Sequence, residues 1–229
     1  MITPRGRIPQ LHNISTDNIA VRENGDCLID ISSGNPRIII EPAYYNRKIP
    51  GATEKCYMRE SVYHRLLDAL EYLPDGYGLK IFDAWRPYEV QRFLYDEQVN
   101  KLLKEEALNP TEAMEKAKQF VSYPEKDPLK PFVHATGGAV DLTVIDENNA
   151  ELDMGTCFDD FSALAATDSF ENSADDKVKN NRRLLYSAMI SAGFTNYPYE
   201  WWHYDYGDLF WAAEKNSEET LFGGKYSEL

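Results

Sequence analysis

The heptapeptide AVDLTVI, residues 139–145, constrains the fold of this 229-residue chain more than any other segment. Apart from Asp141, its residues are apolar or β-branched, which is typical of a buried strand. A lone carboxylate in such a strand is costly to bury unless it is paired with another charge or bound to a cation. The alternative is that Asp141 faces solvent from an edge strand, and the local sequence leaves both possibilities open.

Two further segments supply possible partners for this aspartate. His134 follows a proline-rich loop and precedes two glycines, which permit tight turns and close backbone approach. The sequence EWWH, residues 200–203, adds a second imidazole at His203 and a carboxylate at Glu200. Two imidazoles and one aspartate are the ligand set of a catalytic zinc site whose fourth position stays open for water. Glu200 is then the natural base for that water, because it lies near His203 without being a ligand.

The EWWH segment also poses a geometric problem. Residues three apart in a regular strand face opposite sides, so Glu200 and His203 converge only if the strand is bulged or ends there. We therefore predict irregular backbone at residues 200–203, within a strand covering YEWWHYDY. Trp202 either walls the metal site or packs in the core, and both readings stay open. Asp205 is placed to accept the second ring N–H of a metal-bound histidine.

The overall pattern of the chain predicts an α+β fold. We expect a single domain over residues 1–229, with a small, mostly antiparallel sheet, helices packed around it and the zinc site in a cleft. Residues 1–55 are interpreted as an irregular N-terminal segment that caps this cleft, and residues 151–176 as a surface excursion. Strands are predicted at 27–31, 37–41, 79–85 and 139–145, and helices at 62–70, 89–108, from Thr111 as N-cap onward, and at 178–194.

The chain is strongly acidic, with a net charge of -14 and a pI near 4.7. Such a surface repels phosphate groups, so we expect neither nucleic acid nor an anionic membrane as a partner. No apolar run approaches the ~18 residues that a membrane span needs, and the first residues lack the apolar core of a signal peptide. These features predict a cytoplasmic protein, or a periplasmic one if a leader has been removed. They make no prediction about the oligomeric state.

Four segments resemble, in order, motifs of the D,D-peptidase metalloenzymes, and more narrowly of the D-alanyl-D-alanine dipeptidases of the VanX type. HATGGAVD, residues 134–141, matches the family's H-x-x-G-x-A-x-D element, and EWWH matches its E-x-W-H element. FDAWRPYEVQ, residues 82–91, resembles its arginine motif, and LDMGTCFDDFS, residues 152–162, resembles the stretch between its two zinc motifs. Each segment is moderately specific alone, whereas their shared order is strongly specific.

The resemblance implies a zinc metallopeptidase and suggests a role for each motif residue. One zinc ion per chain would be bound by His134, Asp141 and His203. Glu200 would act as general base and later as acid, and Arg86 would stabilise the oxyanion. The implied reaction is hydrolysis of a D,D-dipeptide, above all D-alanyl-D-alanine to two D-alanine, by attack of zinc-bound water. The alternatives are a D,D- or L,D-carboxypeptidase acting on peptidoglycan stem peptides, and a non-catalytic zinc-containing module that binds peptides.

The candidate contacts for the small D,D-dipeptide substrate come from several segments. They are Asp83, Trp202, Phe132, Val133 and Tyr44, with Tyr45, Asp159 and Asp160 as further candidates. Asp83 could instead orient Arg86. Family members usually have serine two residues before the first zinc histidine, where this chain has Phe132, and often a small polar residue at the position of Val133. This departure bears on the identity of the substrate more than on the chemistry.

Overall fold

The computed structural model describes residues 6–226. Its strands are β1 (Leu28–Asp30), β2 (Ile38–Ile40), β3 (Tyr57–Arg59), β4 (Gly78–Asp83), β5 (Ala139–Ile145), β6 (Thr195–Asn196) and β7 (His203–Asp205). Its α-helices are α1 (Ala43–Asn46), α2 (Glu60–Leu70), α3 (Tyr88–Glu105), α4 (Pro110–Ala117), α5 (Asp176–Ser191) and α6 (Leu209–Glu214). Short 3-10 turns cover Val133–Thr136 and Ala163–Ala165.

Strand β5 lies at the centre of the main sheet. The strand order is β2-β4-β5-β7-β6, with β2 parallel to β4 and the other neighbours antiparallel, while β1 pairs separately with β3. Every residue of β5 is buried, and Asp141 is 2% exposed. The edge-strand alternative for Asp141 is therefore excluded. The predicted α+β fold with a small, mostly antiparallel sheet is confirmed.

The alternation of side chains along β5 separates the main core from the opposite face of the sheet. Val140, Leu142 and Val144 belong to the main apolar core, which α2 and α5 complete. The core residues from these two helices are Val62, Leu66, Ala69, Leu70, Leu184, Leu185, Ala188 and Met189. Because successive side chains of a strand point to opposite faces, Asp141 points away from this core.

Helices α3 and α4 form a hairpin with an apolar core of its own. The buried residues of this second core are Tyr44, Ile49, Val90, Leu94, Tyr95, Leu102, Ala113, Ala117 and Val121. The hairpin is therefore a second packed unit of the fold.

Neither α3 nor any other helix between residues 6 and 226 combines the length and the apolar character that crossing a membrane requires.

Helix α4 begins earlier than the sequence analysis predicted. The Asn109 side chain accepts a hydrogen bond from the Glu112 backbone N–H at 3.0 Å, and the Glu112 carboxylate accepts one from the Asn109 N–H at 2.9 Å. The prediction of Thr111 as N-cap is wrong. Proline suits the first position of a helix because its missing N–H is not needed there, so Pro110 moves the cap back to Asn109.

Arg59, the last residue of β3, ties two distant segments of the chain to the loop that carries His134. Its side chain is fully buried. The guanidinium donates to the backbone oxygen of Thr136 at 2.6 Å and to that of Gly223 at 3.0 Å. It also forms an ion pair with Glu23 at 2.7 Å. The segments around Glu23 and Gly223 thereby hold the loop that follows His134.

Replacing Arg59 with methionine will lower the free energy of unfolding by about 3–5 kcal/mol, because it leaves a carboxylate and buried backbone oxygens without their partner. Urea unfolding of the two proteins measures the difference. Arg22→Met is the matched control: Arg22 pairs with Glu219 at 3.0 Å, but the two side chains are 65% and 59% exposed. Losing such a surface pair costs less than about 1 kcal/mol. Equal losses of unfolding free energy in the two variants would contradict a stabilising role of the buried Arg59 contacts.

Candidate active site

The register of the sheet brings three ionisable side chains into one row. Asp83 of β4 pairs with Asp141 of β5, and Asp141 pairs with His203 of β7. The register shifts between Ile81 and Asp83, which is an irregularity of β4 at this point. Directly paired residues of neighbouring strands carry their side chains on the same face. The row therefore lies on the face of the sheet opposite the main core.

His134 joins this row from the 3-10 turn Val133–Thr136, and the structure brings it together with Asp141 and His203. One side-chain donor atom from each of the three residues lies within 4.8 Å of the other two. His134 Nε2 is 3.3 Å from His203 Nδ1 and 3.3 Å from the Asp141 carboxylate, and His203 Nδ1 is 3.0 Å from that carboxylate. All three side chains are buried.

The outward nitrogen of each imidazole is held by a hydrogen bond. His134 Nδ1 donates to the backbone oxygen of Ala84 at 2.8 Å, and His203 Nε2 donates to the Asp205 carboxylate at 2.8 Å. Because those oxygens only accept, each ring in its neutral form would present its other nitrogen, unprotonated, toward Asp141. Two such nitrogens and one carboxylate oxygen, with the outer ring N–H groups already bonded, form a donor set that fits zinc.

Glu200 reaches the same place because the chain turns just before β7. The His203 N–H donates to the Glu200 backbone oxygen at 3.2 Å, and the Asn196 side chain donates to both the Glu200 and the His203 backbone oxygens. The irregular backbone predicted at 200–203 is present. The prediction of a strand over the whole of YEWWHYDY is wrong before His203, because residues 200–202 form this turn. The turn places the Glu200 carboxylate 3.9 Å from His203 Nδ1.

The environment of Glu200 favours its protonated form. Burial raises the pKa of its carboxyl group to about 8; the neighbouring His203 opposes this change, whereas the negative charge of Asp141 adds to it. A carboxylate with a raised pKa is a stronger base than an ordinary glutamate. The arrangement therefore provides a group that can take up and release a proton near neutral pH.

Arg86 is fixed beside the metal-ligand candidates by several partners. Its Nε donates to the Asp83 carboxylate at 2.8 Å, and one Nη donates to Gln91 Oε1 at 2.8 Å. Its other Nη lies 3.3 Å from the Tyr44 hydroxyl and 3.4 Å from the Asp141 carboxylate. Asp83 thus contacts Arg86, which is the orienting position that the sequence analysis considered for it. A guanidinium held in this way presents a preorganised positive charge.

The three metal-ligand candidates line a cleft of about 390 Å³. Of the predicted substrate contacts, five line this cleft: Tyr44, Phe132, Val133, Trp202 and Asp159. Trp202 is also 1% exposed and belongs to the main core, whereas its role beside the metal stays a prediction. Tyr44 and Arg47 are the cleft residues from the N-terminal segment 1–55, whose action as a cap stays a prediction.

Asp159 also lines the cleft, a position that the sequence alone did not predict for it. Its carboxylate accepts hydrogen bonds from the Tyr44 hydroxyl and from Arg47, each at 3.2 Å. Burial raises the pKa of Asp159 to about 7, against the effect of Arg86. Asp160 instead accepts a bond from its neighbour Ser162.

Two supporting residues were missed by the sequence analysis. Gln91, in the first turn of α3, bonds to Arg86 and donates to the Ser122 backbone oxygen at 2.6 Å. Its position in the motif FDAWRPYEVQ, five residues after Arg86, was the sequence feature that could have indicated this role. Asp208 caps α6 by accepting from the Trp211 N–H at 3.1 Å. Burial and the nearby Asp205 raise the pKa of Asp208 well above its ordinary value.

The model of the peptidase family described as D-ala-D-ala dipeptidase, Peptidase M15, matches residues 45–218. The chain belongs to this family. The predicted family resemblance is confirmed, and membership makes the protein a metallopeptidase. The matched residues include Arg86, the three ligand candidates and Glu200.

Individual M15 relatives differ in how much of their length the chain covers. A D-alanyl-D-alanine dipeptidase of Synechocystis sp. is 31% identical over 179 residues, which are 69% of this chain and 72% of that protein. A protein of the same name from Escherichia coli is 30% identical over 130 residues, 57% of this chain and 55% of that protein. Among solved structures, a VanY D,D-pentapeptidase mutant in complex with Zn(II) is 19% identical, with a TM-score of 0.44 over 71% of this chain and 79% of that one.

Proposed function

We propose that this chain is a zinc-dependent dipeptidase that hydrolyses D,D-dipeptides, with D-alanyl-D-alanine as the reference substrate. The observation that carries this proposal is the buried convergence of His134, Asp141 and His203 donor atoms within 4.8 Å, beside the Glu200 carboxylate. Membership of the M15 family supports it, as do the names of the Synechocystis and Escherichia coli relatives.

The proposed proton transfers run through Glu200. Zinc held by His134, Asp141 and His203 would supply Lewis-acid activation of water and of the scissile carbonyl. Glu200 accepts a proton from the attacking water and then donates it to the nitrogen that leaves with the second residue of the dipeptide. One C–O bond forms, the peptide C–N bond breaks, and the carboxylate of Glu200 is regenerated.

Arg86 is proposed to stabilise the negative charge that develops on the attacked carbonyl oxygen. Its ion pair with Asp83 and its bond to Gln91 fix the guanidinium before the substrate arrives. A preorganised cation of this kind avoids reorganisation during the reaction, which makes electrostatic stabilisation effective. Asp83 and Gln91 act on the reaction through Arg86.

The alternative functions differ in what the cleft admits and in what Glu200 does. A carboxypeptidase must admit a peptidoglycan stem, whereas the proposed dipeptidase must admit only a short free dipeptide. A non-catalytic peptide-binding module has no need for an unliganded Glu200 beside its metal. The dipeptidase therefore remains the best-supported function.

We propose that the protein is located in the cytoplasm. Cys27 and Cys157 are exposed free thiols and Cys56 is a buried one. Exposed unpaired thiols suit a reducing compartment. Fractionation of the cells that produce the protein tests the location, and recovery in the periplasmic fraction would contradict it.

A panel of dipeptides tests the proposed function directly. The zinc-loaded protein will hydrolyse D,D-dipeptides, and the metal-depleted protein will lose this activity and regain it when zinc is restored. L,D- and L,L-dipeptides and a peptidoglycan stem pentapeptide will be cleaved far more slowly. Chromatography of the released amino acids measures the rate of every reaction.

Two results would count against the proposed function. Trimming of the stem pentapeptide at a rate comparable to dipeptide cleavage would favour the carboxypeptidase. Zinc binding without cleavage of any peptide in the panel would favour the binding module.

A further inference from the structure

An aromatic ring pair borders the cleft beside Glu200. The rings of Tyr197 and Phe210 are stacked, with centroids 5.0 Å apart and planes inclined by 7°. Both side chains are half-buried and both line the cleft. Apolar ring surface that stays partly exposed inside a cleft is typical of a wall that contacts a ligand.

The position of this ring pair relative to the proposed base is fixed by short contacts. The Glu200 N–H donates to the Tyr197 backbone oxygen at 3.1 Å, within the turn before β7. The Tyr197 ring centroid lies 5.8 Å from that of His203, and the Phe210 centroid lies 6.4 Å from it. The stacked rings therefore adjoin His203, and the backbone of Tyr197 is bonded to that of Glu200.

The orientation of the substrate follows from the proton that Glu200 delivers. The nitrogen that receives it belongs to the second, C-terminal residue of the dipeptide, so this residue lies at the Glu200 end of the cleft. Its α-carbon is bonded to that nitrogen, which brings its side chain close to the rings beside Glu200. The N-terminal residue lies on the other side of the attacked carbonyl.

We infer that Tyr197 and Phe210 form the pocket for the side chain of the C-terminal residue, and that the enzyme favours D,D-dipeptides ending in an apolar residue larger than alanine. This inference rests on the proposed function. The methyl group of D-alanine covers little of two aromatic rings, whereas a branched aliphatic side chain covers much more. Each added methylene that becomes buried strengthens the interaction.

The cleft has room for such a side chain. Its volume of about 390 Å³ lies within the ~300–1,000 Å³ of pockets that take drug-sized ligands. Phe132 lines the same cleft and adds apolar rather than hydroxyl-bearing surface. The lining thus offers apolar contact to a substrate with more carbon than two alanines provide.

Positional isomers test the inference. We expect kcat/KM for D-alanyl-D-leucine to exceed that for D-alanyl-D-alanine about tenfold, within the range that one or a few methylenes give in an apolar pocket. D-alanyl-D-serine and D-leucyl-D-alanine will show no such gain. The zinc-loaded full chain is used throughout. Equal zinc content and equal circular dichroism spectra verify that each variant is folded and holds its metal.

Phe210→Ala should reduce the D-leucine to D-alanine ratio to near one, because the outer ring of the pair is removed. Phe161→Ala is the matched control: Phe161 lines the same cleft but packs against Phe120, at 6.2 Å between ring centroids. It should leave the ratio unchanged. If Phe210→Ala failed to fold, Phe210→Leu would be used instead. It replaces the ring with a smaller aliphatic side chain and should lower the ratio by a smaller factor.

The outcomes separate the inference from the proposed function. Cleavage of D-alanyl-D-alanine with a ratio of one or less for D-alanyl-D-leucine overturns the inference and leaves the dipeptidase standing. A tenfold ratio that survives Phe210→Ala, or falls equally in Phe161→Ala, overturns the assignment to the ring pair. Absence of cleavage of every D,D-dipeptide overturns both.

Discussion

Replacing Glu200 with alanine will lower kcat/KM for D-alanyl-D-alanine by about 10²–10⁴-fold, the usual contribution of general acid–base catalysis, while the protein keeps its zinc. The loss arises because the Glu200 carboxylate, 3.9 Å from the ligand candidate His203, is the group proposed to accept the proton of the attacking water. Among residues 6–226, no side chain donates a hydrogen bond to the Glu200 carboxylate, so its removal leaves the fold intact. Steady-state kinetics and zinc analysis on the same sample measure the two quantities.

Glu97→Ala is the control for the Glu200 experiment. Glu97 also lines the cleft, but its carboxylate pairs with Arg47 at 2.9 Å on the exposed rim. This variant should stay within a few-fold of the original protein, because an exposed ion pair contributes little. A Glu200 variant that retains both zinc and full activity would exclude Glu200 as the base.

Replacing Asp141 with asparagine will remove the metal and, with it, the activity. The Asp141 carboxylate lies within 3.3 Å of both candidate imidazole ligands and 3.4 Å from Arg86, so the substitution removes the negative charge on which all of them converge. We expect zinc affinity to fall by more than the ~10–100-fold that loss of a supporting partner costs. Zinc content after dialysis against a weak chelator measures the effect.

Asp83→Asn distinguishes loss of the metal from loss of Arg86 positioning. Asp83 accepts the hydrogen bond from Arg86 Nε at 2.8 Å. Its amide analogue should keep the zinc and lower kcat, because the guanidinium is less firmly held. Normal zinc content in Asp141→Asn, or zinc loss in Asp83→Asn alone, would contradict the proposed ligand set.

The need of a buried Asp141 for a partner was predictable, because burying a charge has a large and specific cost, whereas the burial itself was not, because an edge strand fits the local sequence as well. An aspartate in an apolar strand demands a partner, and the chain offers a histidine shortly before it and another in EWWH. The same kind of reasoning anticipated the turn at residues 200–203, since a regular strand cannot bring Glu200 and His203 together. Both deductions rest on local geometry and on the chemistry of single side chains.

Other features depend on contacts that local patterns do not encode. The aromatic residues of YEWWHYDY have high strand propensity, yet hydrogen bonds from Asn196 to the backbone hold residues 200–203 in a turn. Gln91 gains its importance only when Arg86 and Ser122 meet it in three dimensions. The stacking of Tyr197 on Phe210 likewise joins a turn to a helix. Such pairings follow from the assembled sheet rather than from periodicity.

The central position of β5 affects how the protein acquires its ion while it is being made. Asp141 and its cross-strand partner His203 are 62 residues apart along the chain. A ribosome therefore releases the first two proposed ligands well before the third. Until β7 docks, the aspartate has no imidazole beside it on that side. Binding of the ion by all three proposed ligands therefore has to wait until the chain has been made as far as β7.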